Sequence, residues 1–306
     1  MADKSLLVIG GTGFIGSALV RKAILRGYAT TIISLNTPTA ALRIDGVEYI
    51  SLDILDQFKI SSFLSSRYFT HVVNLSGYIN HSSYRDGGAQ IIQAHFSALE
   101  NIVRCLNWDT LKCFMQIGSS DEYGNAGAPQ VESVREQPIS SYSFGKVAST
   151  HFLQMLNRTE DFPSVIFRLF LVYGPGQKLN RFLPHVINAC LHDETFPVSA
   201  GIQVRDFCYV TDVVDAILIA LNKNNAQGQL FNVASGIPVT IREVIESVTR
   251  MVGGGNPEFG KIAYRKGENM SLYADITKAE ELLGWKPKTN LEAGLQSTLD
   301  FYSGKS

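Results

Sequence analysis

The chain has 306 residues, of which 45% are hydrophobic and 18% are charged, and its formal net charge is -1. Such a chain buries a substantial core, in one large domain or in two closely joined ones. Because Lys and Arg are not concentrated in any segment, the sequence lacks the charge pattern of nucleic-acid and membrane-surface binders, and we expect small-molecule partners.

The cysteines and the apolar segments exclude further classes of protein. Cys105, Cys113, Cys190 and Cys208 form no C-x-x-C pair and have no nearby histidine at metal-ligand spacing, so we predict reduced thiols and no metal site. The N-terminal apolar run covers only residues 6–9, and no stretch is long enough to cross a membrane. We therefore expect a cytoplasmic protein without a membrane partner.

The first half of the chain alternates strand-like and helix-like segments. Aliphatic or β-branched runs bounded by turn residues predict strands at 5–9, 30–33, 48–52, 71–75, 113–117 and 164–169. Apolar residues at helical spacing predict helices at 15–26, 58–65, 91–107 and 142–156. This βαβ rhythm, with right-handed crossovers, predicts an α/β fold built on a doubly wound parallel sheet of the Rossmann type.

The rhythm changes after residue 170. A turn at Tyr173-Gly174-Pro175-Gly176 precedes predicted helices at 182–191, 212–221 and 241–252, predicted short strands near 203–209 and 230–233, and a surface loop at 253–257. We expect residues 1–170 to form the dinucleotide-binding domain, joined by segments near 203–235. Residues 171–306 are then mainly a smaller, mixed α/β substrate-binding lobe.

A glycine-rich turn follows the first predicted strand. Gly10, Gly13 and Gly16 have the spacing G-x-x-G-x-x-G between that strand and the first predicted helix. Glycine leaves room for the tight turn, for a pyrophosphate and for packing of the helix on the strand. The alternative interpretation is a flexible loop, but the flanking strand and helix favour dinucleotide binding. We also assign to this site the next two residues of the turn and the residues near the ends of later strands, which are Phe14, Ile15, Ile54 and Leu75.

The end of the second predicted strand indicates which dinucleotide is bound. An acidic residue there would accept hydrogen bonds from the adenosine ribose, but the chain has Ser34 and Asn36, which would not repel a 2′-phosphate. We therefore predict NADP, with NAD as the alternative, although the nearest basic side chain is that of Arg43. Asp53, after the third predicted strand, is placed to meet the adenine edge.

A tyrosine and a lysine on one helix predict the catalytic site. Tyr142 and Lys146 are four residues apart and therefore share a helical face, where the ammonium can favour the phenolate form of the tyrosine. Ser119, Ser120 and Asp121 follow a buried strand at the edge where ligands bind, so a serine there can polarise a substrate oxygen. The competing interpretations are an ordinary amphipathic helix and local turn or cap chemistry.

Taken together, these motifs resemble the extended short-chain dehydrogenase/reductases that modify nucleotide sugars, the NAD-dependent epimerase/dehydratase group. The resemblance extends from residue 5 to residue 302 and includes the turn at 173–176 and the stretches 204–214 and 282–288. It implies a nucleotide-diphosphate sugar as partner and a homodimer built on helices 91–107 and 142–156. It also implies that Arg205 contacts the substrate diphosphate and that Arg265 and Glu268 help to hold the nucleotide.

The departures from the family pattern bear on the reaction. Leu171 stands where epimerases and dehydratases commonly have an asparagine. Dehydratases have an aspartate and a glutamate after a threonine, and an ungapped alignment puts Ser119, Ser120 and Asp121 at these three positions. A one-residue gap would instead put Ser120, Asp121 and Glu122 there and restore the dehydratase set. Both alignments stay open at this point.

The resemblance is greatest to reductases of nucleotide-linked 4-keto-6-deoxyhexoses. It implies hydride transfer from NADPH to C4, with Tyr142 as the proton donor and with Lys146 tuning Tyr142 and binding the nicotinamide ribose. The alternatives are a nucleotide-sugar 4-epimerase or a 4,6-dehydratase with tightly bound NAD. From another class, a non-catalytic NADP-binding regulator would keep the fold without the chemistry.

Overall fold

The computed structural model describes residues 4–264 and 267–305. Its strands are β1 (Ser5–Ile9), β2 (Ala29–Ser34), β3 (Val47–Ser51), β4 (His71–Asn74), β5 (Cys113–Ser119), β6 (Ser164–Leu169), β7 (Leu171–Tyr173), β8 (Thr195–Pro197), β9 (Val204–Tyr209), β10 (Leu230–Val233), β11 (Pro238–Thr240), β12 (Asn256–Glu258) and β13 (Ser271–Leu272). Its helices are α1 (Phe14–Leu25), α2 (Gln57–Leu64), α3 (Gly88–Ile92), α4 (Ala98–Cys105), α5 (Ser141–Glu160), α6 (Phe182–Leu191), α7 (Val210–Ala220), α8 (Ile241–Val252), α9 (Thr277–Leu283) and α10 (Leu291–Tyr302).

The main sheet has seven parallel strands in the order β10-β6-β5-β4-β1-β2-β3. Along β1, Leu6 and Val8 point into the core beneath α1 and α7, whereas Leu7 and Ile9 point into the core beneath α2, α4 and α5. Successive side chains of a strand face opposite sides of the sheet, so a strand covered on both faces needs a continuous apolar run. This arrangement confirms the predicted doubly wound fold.

The segment predicted as one helix over residues 91–107 differs from a regular helix. It consists of α3 and α4, which are joined by a wide π turn over Gln93–Ser97. A π turn accommodates an extra residue and is frequent at functional sites. Here it carries His95, which is buried and whose Nε2 lies 3.0 Å from the Tyr78 carbonyl oxygen.

The second half of the chain builds smaller sheets beside the main one. Strand β9 pairs with β7, β11 and β13, and it packs with α6, α8 and α10 in a separate core. The loop predicted at 253–257 was partly wrong, because Asn256–Glu258 forms β12 and pairs with β8. Sequence patterns miss such strands for two reasons. Three residues are too few for an alternation of apolar and polar side chains to be recognised, and the partner strand is about sixty residues away along the chain.

Two further expectations stay predictions. The first is the division of the chain into two domains near residue 170. Strand β10 lies far beyond that boundary but belongs to the main sheet, as a segment joining the first domain would. The other is the homodimer, for which α5 presents the exposed side chains of Phe144 and Met155. No helix among the described residues is both long and apolar enough to span a membrane.

The two-sided core predicts how phenylalanine truncations differ in cost. Phe167 on β6 is fully buried, so Phe167→Ala should lower the free energy of unfolding by about 3–5 kcal/mol. Phe58 on α2 is 84% exposed, so the matched change Phe58→Ala should alter it by no more than about 0.5 kcal/mol. Denaturant titrations of both variants measure the difference, and equal costs would contradict the assigned core.

Candidate active site

The candidate site lies at the carboxyl edge of the main sheet. Strands β1, β2, β4 and β5 all run in the same direction, so Gly10, Ser34, Leu75 and Ser119 meet at one edge. In open α/β sheets, ligands bind outside this edge. The topology therefore brings the predicted cofactor turn and the predicted catalytic strand together.

The glycine turn is tightly packed against the start of α1. Gly10 has a φ of +81°, which favours glycine, and its carbonyl oxygen accepts a hydrogen bond of 3.0 Å from the Gly13 amide. A Cβ atom on Gly16 would lie only 2.5 Å from that oxygen. No side chain caps the N-terminus of α1 at Gly13. The first amides of the helix, including those of Phe14 and Ile15, therefore fit the pyrophosphate of a dinucleotide.

The end of β2 presents neutral groups. The Ser34 hydroxyl donates a hydrogen bond of 2.8 Å to the Asn36 carbonyl oxygen. The Arg43 guanidinium lies 5.6 Å from the centre of the Tyr49 ring, and its Nε donates to the Pro38 carbonyl oxygen. Arg43 is thus engaged by its own loop rather than by Ser34.

The remaining predicted cofactor residues also lie along this edge. Asp53 Oδ1 accepts a hydrogen bond of 2.9 Å from the Leu55 amide, and the Ile54 carbonyl accepts one from Asn101. The Leu75 amide donates to the Ile9 carbonyl oxygen at 2.9 Å, which continues the pairing of β4 with β1. These contacts fix the chain along the predicted cofactor edge.

Tyr142 and Lys146 both lie in the N-terminal half of α5, where they are buried against β5. Only 5% of Tyr142 is exposed, and the Ser119 hydroxyl lies close enough to lower the pKa of its phenol. Lys146 Nζ donates a hydrogen bond of 2.8 Å to the Ile117 carbonyl oxygen and lies 6.0 Å from the centre of the Tyr142 ring. The structure therefore brings the phenol, the hydroxyl and the ammonium together.

Burial shifts the pKa values of both ionisable groups. It raises the pKa of Tyr142 well above its usual value, and the charge of Asp121 adds to this increase. It lowers the pKa of Lys146 to about 8, against the opposing effect of the Glu122 carboxylate. Burial therefore keeps Tyr142 in its neutral form, and the phenolate expected from the sequence requires further positive charge.

Two histidines that sequence analysis did not single out flank the Tyr142 ring edge-on. The ring centres of His95 and His81 lie 5.0 Å and 5.6 Å from that of Tyr142. Burial lowers the pKa of His95 to about 3, so this imidazole is neutral. His81 is partly exposed, and its Nε2 lies 3.7 Å from Oδ2 of Asp121. His81 is far from Tyr142 in the sequence, and no local pattern signals this contact.

The geometry favours one of the two alignments of the catalytic segment. Glu122 is fully buried, and its carboxylate accepts hydrogen bonds from the Ser119 amide at 2.9 Å, the Thr150 hydroxyl at 2.8 Å and Arg168 Nε at 2.9 Å. A carboxylate engaged in this way is unsuited to take a proton from a substrate. The ungapped alignment, with Ser120 and Asp121 after Ser119, therefore fits the structure better. Sequence analysis did not single out Arg168. Its position within the predicted buried strand 164–169 could have indicated that a buried charge there needs an acidic partner.

Two of the three predicted substrate residues lie within the described part of the chain, Arg205 on β9 and Glu268 in the segment before β13. Arg205 on β9 forms an ion pair with Glu268, and its Nη1 donates a hydrogen bond of 2.8 Å to the Val204 carbonyl oxygen. Arg265 lies outside the described residues. Among the described residues, no group of three or more His, Cys, Asp or Glu side chains is arranged to hold a metal ion, and all four cysteines are free.

The packing of the glycine turn predicts a loss of cofactor binding. In Gly16→Ala, the new methyl group meets backbone atoms of Gly10 and Gly11, and the resulting overpacking should cost about 1–3 kcal/mol of NAD binding energy. The matched change Gly127→Ala, where a Cβ atom meets nothing within 4 Å, should leave binding unchanged. Isothermal titration with NAD measures both, and unaltered binding by the Gly16 variant would exclude the turn as the pyrophosphate site.

The sequence and the structure are both similar to those of known proteins. Residues 6–234 match the model of the NAD dependent epimerase/dehydratase family. The low-salt glycan biosynthesis protein Agl12 of Haloferax volcanii is 26% identical, over 98% of this chain and 98% of its own. The dTDP-glucose 4,6-dehydratase of Shigella flexneri is 24% identical, over 97% of this chain and 92% of its own. The UDP-glucuronic acid 4-epimerase of Bacillus cereus, solved with UDP-glucuronic acid and NAD, superposes with a TM-score of 0.87 at 25% identity, over 99% of this chain and 100% of its own.

Proposed function

The chain belongs to the NAD-dependent epimerase/dehydratase family, and we propose that it is a nucleotide-sugar 4-epimerase that keeps NAD bound. The observation that carries this proposal is the grouping of Tyr142, Lys146 and Ser119 at the edge of the sheet that also holds the glycine turn, with Lys146 Nζ 6.0 Å from the centre of the Tyr142 ring. Oxidation and reduction at C4 of a sugar need these three side chains. Epimerisation needs no additional acid and base.

NAD, when bound, supplies the acceptor for the hydride that leaves C4. The Tyr142 phenolate would take up the proton of O4 during oxidation and so become the neutral phenol, while the Ser119 hydroxyl would donate a hydrogen bond to the same oxygen. Burial disfavours the phenolate. The ammonium of Lys146, 6.0 Å from the centre of the Tyr142 ring, would stabilise this form during oxidation. When the 4-keto sugar is reduced on its opposite face, the Tyr142 phenol would return the proton to O4, and the product would be the C4 epimer.

We assign the substrate diphosphate to Arg205. Its guanidinium offers planar, paired donors that match phosphate oxygens. Arg205 forms an ion pair with Glu268. Binding of the diphosphate would give the Arg205 guanidinium a second anionic partner beside the Glu268 carboxylate. Binding energy from this distant group orients the sugar for hydride transfer.

A 4,6-dehydratase is the second candidate, because Asp121 provides a carboxylate near Tyr142 and His81 lies beside it. Removal of the C5 proton requires such a base. Against this candidate, the ungapped alignment puts Ser120 at the position of the dehydratase aspartate, and Glu122 is engaged by Arg168. The expected 4-keto-6-deoxysugar reductase would use the same Tyr142 but would consume NADPH. The names of the relatives favour the two reactions that conserve the cofactor.

Proton nuclear magnetic resonance in D₂O distinguishes the three reactions on a panel of UDP-, dTDP-, GDP- and CDP-linked hexoses. An epimerase yields the C4 epimer without deuterium at C5. A dehydratase yields a 4-keto-6-deoxy product that carries deuterium at C5, and a reductase consumes NADPH only with a 4-keto sugar. Deuterium at C5 would overturn the epimerase proposal.

The same assay tests the proton donor. Tyr142→Phe should lower turnover by about 10²–10⁴-fold while NAD affinity is retained. The matched change Tyr68→Phe, at a residue that is 46% exposed, should have no effect. Full activity of the Tyr142 variant would exclude the phenol as the acid–base group.

We propose that NAD is the resident cofactor and that NADP is also admitted. The NAD bound by the epimerase of Bacillus cereus supports the first part, and the neutral end of β2 at Ser34 and Asn36 supports the second. The earlier preference for NADP rests on these two residues alone. No group described there acts as a dedicated partner for a 2′-phosphate, because Arg43 is engaged with its own loop.

Ser34→Asp should separate the two cofactors. A carboxylate at this position repels a 2′-phosphate and accepts hydrogen bonds from ribose hydroxyls, so NADP affinity should fall by about tenfold or more while NAD affinity is kept. Ser62→Asp, an equal charge change on the exposed face of α2, is the matched control. Titration of each variant with both cofactors gives the affinity ratio, and an unchanged ratio would place the adenosine ribose elsewhere.

A further inference from the structure

We propose that Glu122 is a positioning residue, whose buried carboxylate joins the strand that ends in Ser119 to the helix that carries Tyr142 and Lys146. This inference rests on the proposed function of Tyr142 and Lys146. The gapped alignment would make Glu122 a base that takes a proton from the substrate. The role proposed here is a different one. The carboxylate would act on the reaction only through its neighbours.

The contacts of Glu122 join three elements of the fold. Its Oε1 accepts the amide of Ser119 at the end of β5, and its Oε2 accepts both the Thr150 hydroxyl on α5 and Arg168 Nε on β6. Thr150 lies one helical turn beyond Lys146 on α5. The carboxylate therefore fixes the distance between the strand that ends in Ser119 and the helix that carries the acid–base pair.

The surroundings are shaped for this carboxylate. A Cβ atom on Gly118 would lie 2.4 Å from Glu122 Oε1, so glycine at this position leaves room for the side chain. Arg168 is fully buried, lies 4.5 Å from the centre of the Tyr123 ring, and also contacts Glu136 with 2.5 Å between Nη2 and Oε1. Burying an ion pair costs much of what its attraction contributes, so stability alone does not account for the arrangement.

The charge of Glu122 also acts on Lys146. The groups that face Lys146 are the Ile117 carbonyl on β5, Tyr142 on α5, His95 on the π turn and Glu122. His95 is neutral because burial lowers its pKa, and Tyr142 is neutral because burial raises its pKa. Glu122 is the charge that opposes the effect of burial on the pKa of Lys146.

Removal of the carboxylate should shift the pH dependence of catalysis in one direction. Without Glu122 the pKa of Lys146 falls further below its value of about 8. The active, protonated lysine is then lost at a lower pH. The alkaline limb of kcat/KM against pH should therefore move to lower pH by about one unit, as expected for the loss of one close opposite charge.

Two variants separate positioning from structural support. Glu122→Gln alone leaves Arg168 facing an amide and should also destabilise the fold. The double variant Glu122→Gln with Arg168→Met removes both buried charges, so its thermal stability should recover while the alkaline limb stays shifted. Glu243→Gln is the matched control, because Glu243 also accepts hydrogen bonds, from the Thr240 amide and hydroxyl, but lies in an exposed capping box.

A readout without substrate checks the same inference. A lysine whose folded pKa lies below its unfolded value makes the free energy of unfolding rise as pH passes from the folded value to the unfolded one, because the unfolded chain then binds more protons. This rise should begin at lower pH in the double variant than in the wild-type protein. Adding Lys146→Met should abolish the difference between them.

The outcomes distinguish this inference from the proposed function. If the double variant recovers both stability and the wild-type pH profile, or if its rise in unfolding free energy begins at the wild-type pH, Glu122 has only a structural role and the inference is overturned. If the wild-type protein converts none of the nucleotide sugars, the proposed function fails. The unfolding measurements then still decide whether Glu122 maintains the charge of Lys146.

Discussion

The burial of Tyr142 and Lys146 between α5 and β5 is the constraint on which the site depends. Desolvation disfavours the charged form of each group, raising the pKa of the phenol and lowering that of the ammonium. The charged form of either group therefore has a high free energy unless a partner stabilises it. For Lys146 the chain provides the Ile117 carbonyl and, through its charge, the Glu122 carboxylate, whereas for Tyr142 the Ser119 hydroxyl lowers the pKa. A dry site of this kind also strengthens each electrostatic interaction with a bound sugar.

The parallel sheet explains why these groups meet the cofactor turn. All the strands of the main sheet end at one edge, so the glycine turn after β1 and the serine at the end of β5 face the same space. The π turn before α4 adds His95 to the wall of the site beside Tyr142. Arg205, which we propose for the substrate diphosphate, comes from β9 in the smaller sheets. In this proposal, the cofactor and substrate groups come from different sheets of the molecule.

The choice among family reactions is a question of which carboxylates are available. Glu122 and Glu136 both pair with the buried Arg168, which removes them from the group of candidate acids and bases. Asp121 stays near Tyr142, next to the partly exposed His81. One carboxylate and one serine at these positions support C4 chemistry more directly than the coordinated removal of water across C5 and C6. At the end of β2, Ser34 and Asn36 are neutral, so charge at these two positions does not discriminate between NAD and NADP.

The sequence by itself determined the βαβ framework, the glycine turn and the Tyr142–Lys146 pair, because hydrophobic periodicity and short motifs are local properties of the chain. It could not determine the short strands β8 and β12, whose pairing joins distant segments. The tertiary structure alone decided that Glu122 faces Arg168 rather than a substrate and that His81 and His95 enclose Tyr142. These contacts join residues far apart along the chain, and the pKa shifts that follow depend on burial, which is a property of the packed molecule and not of any segment.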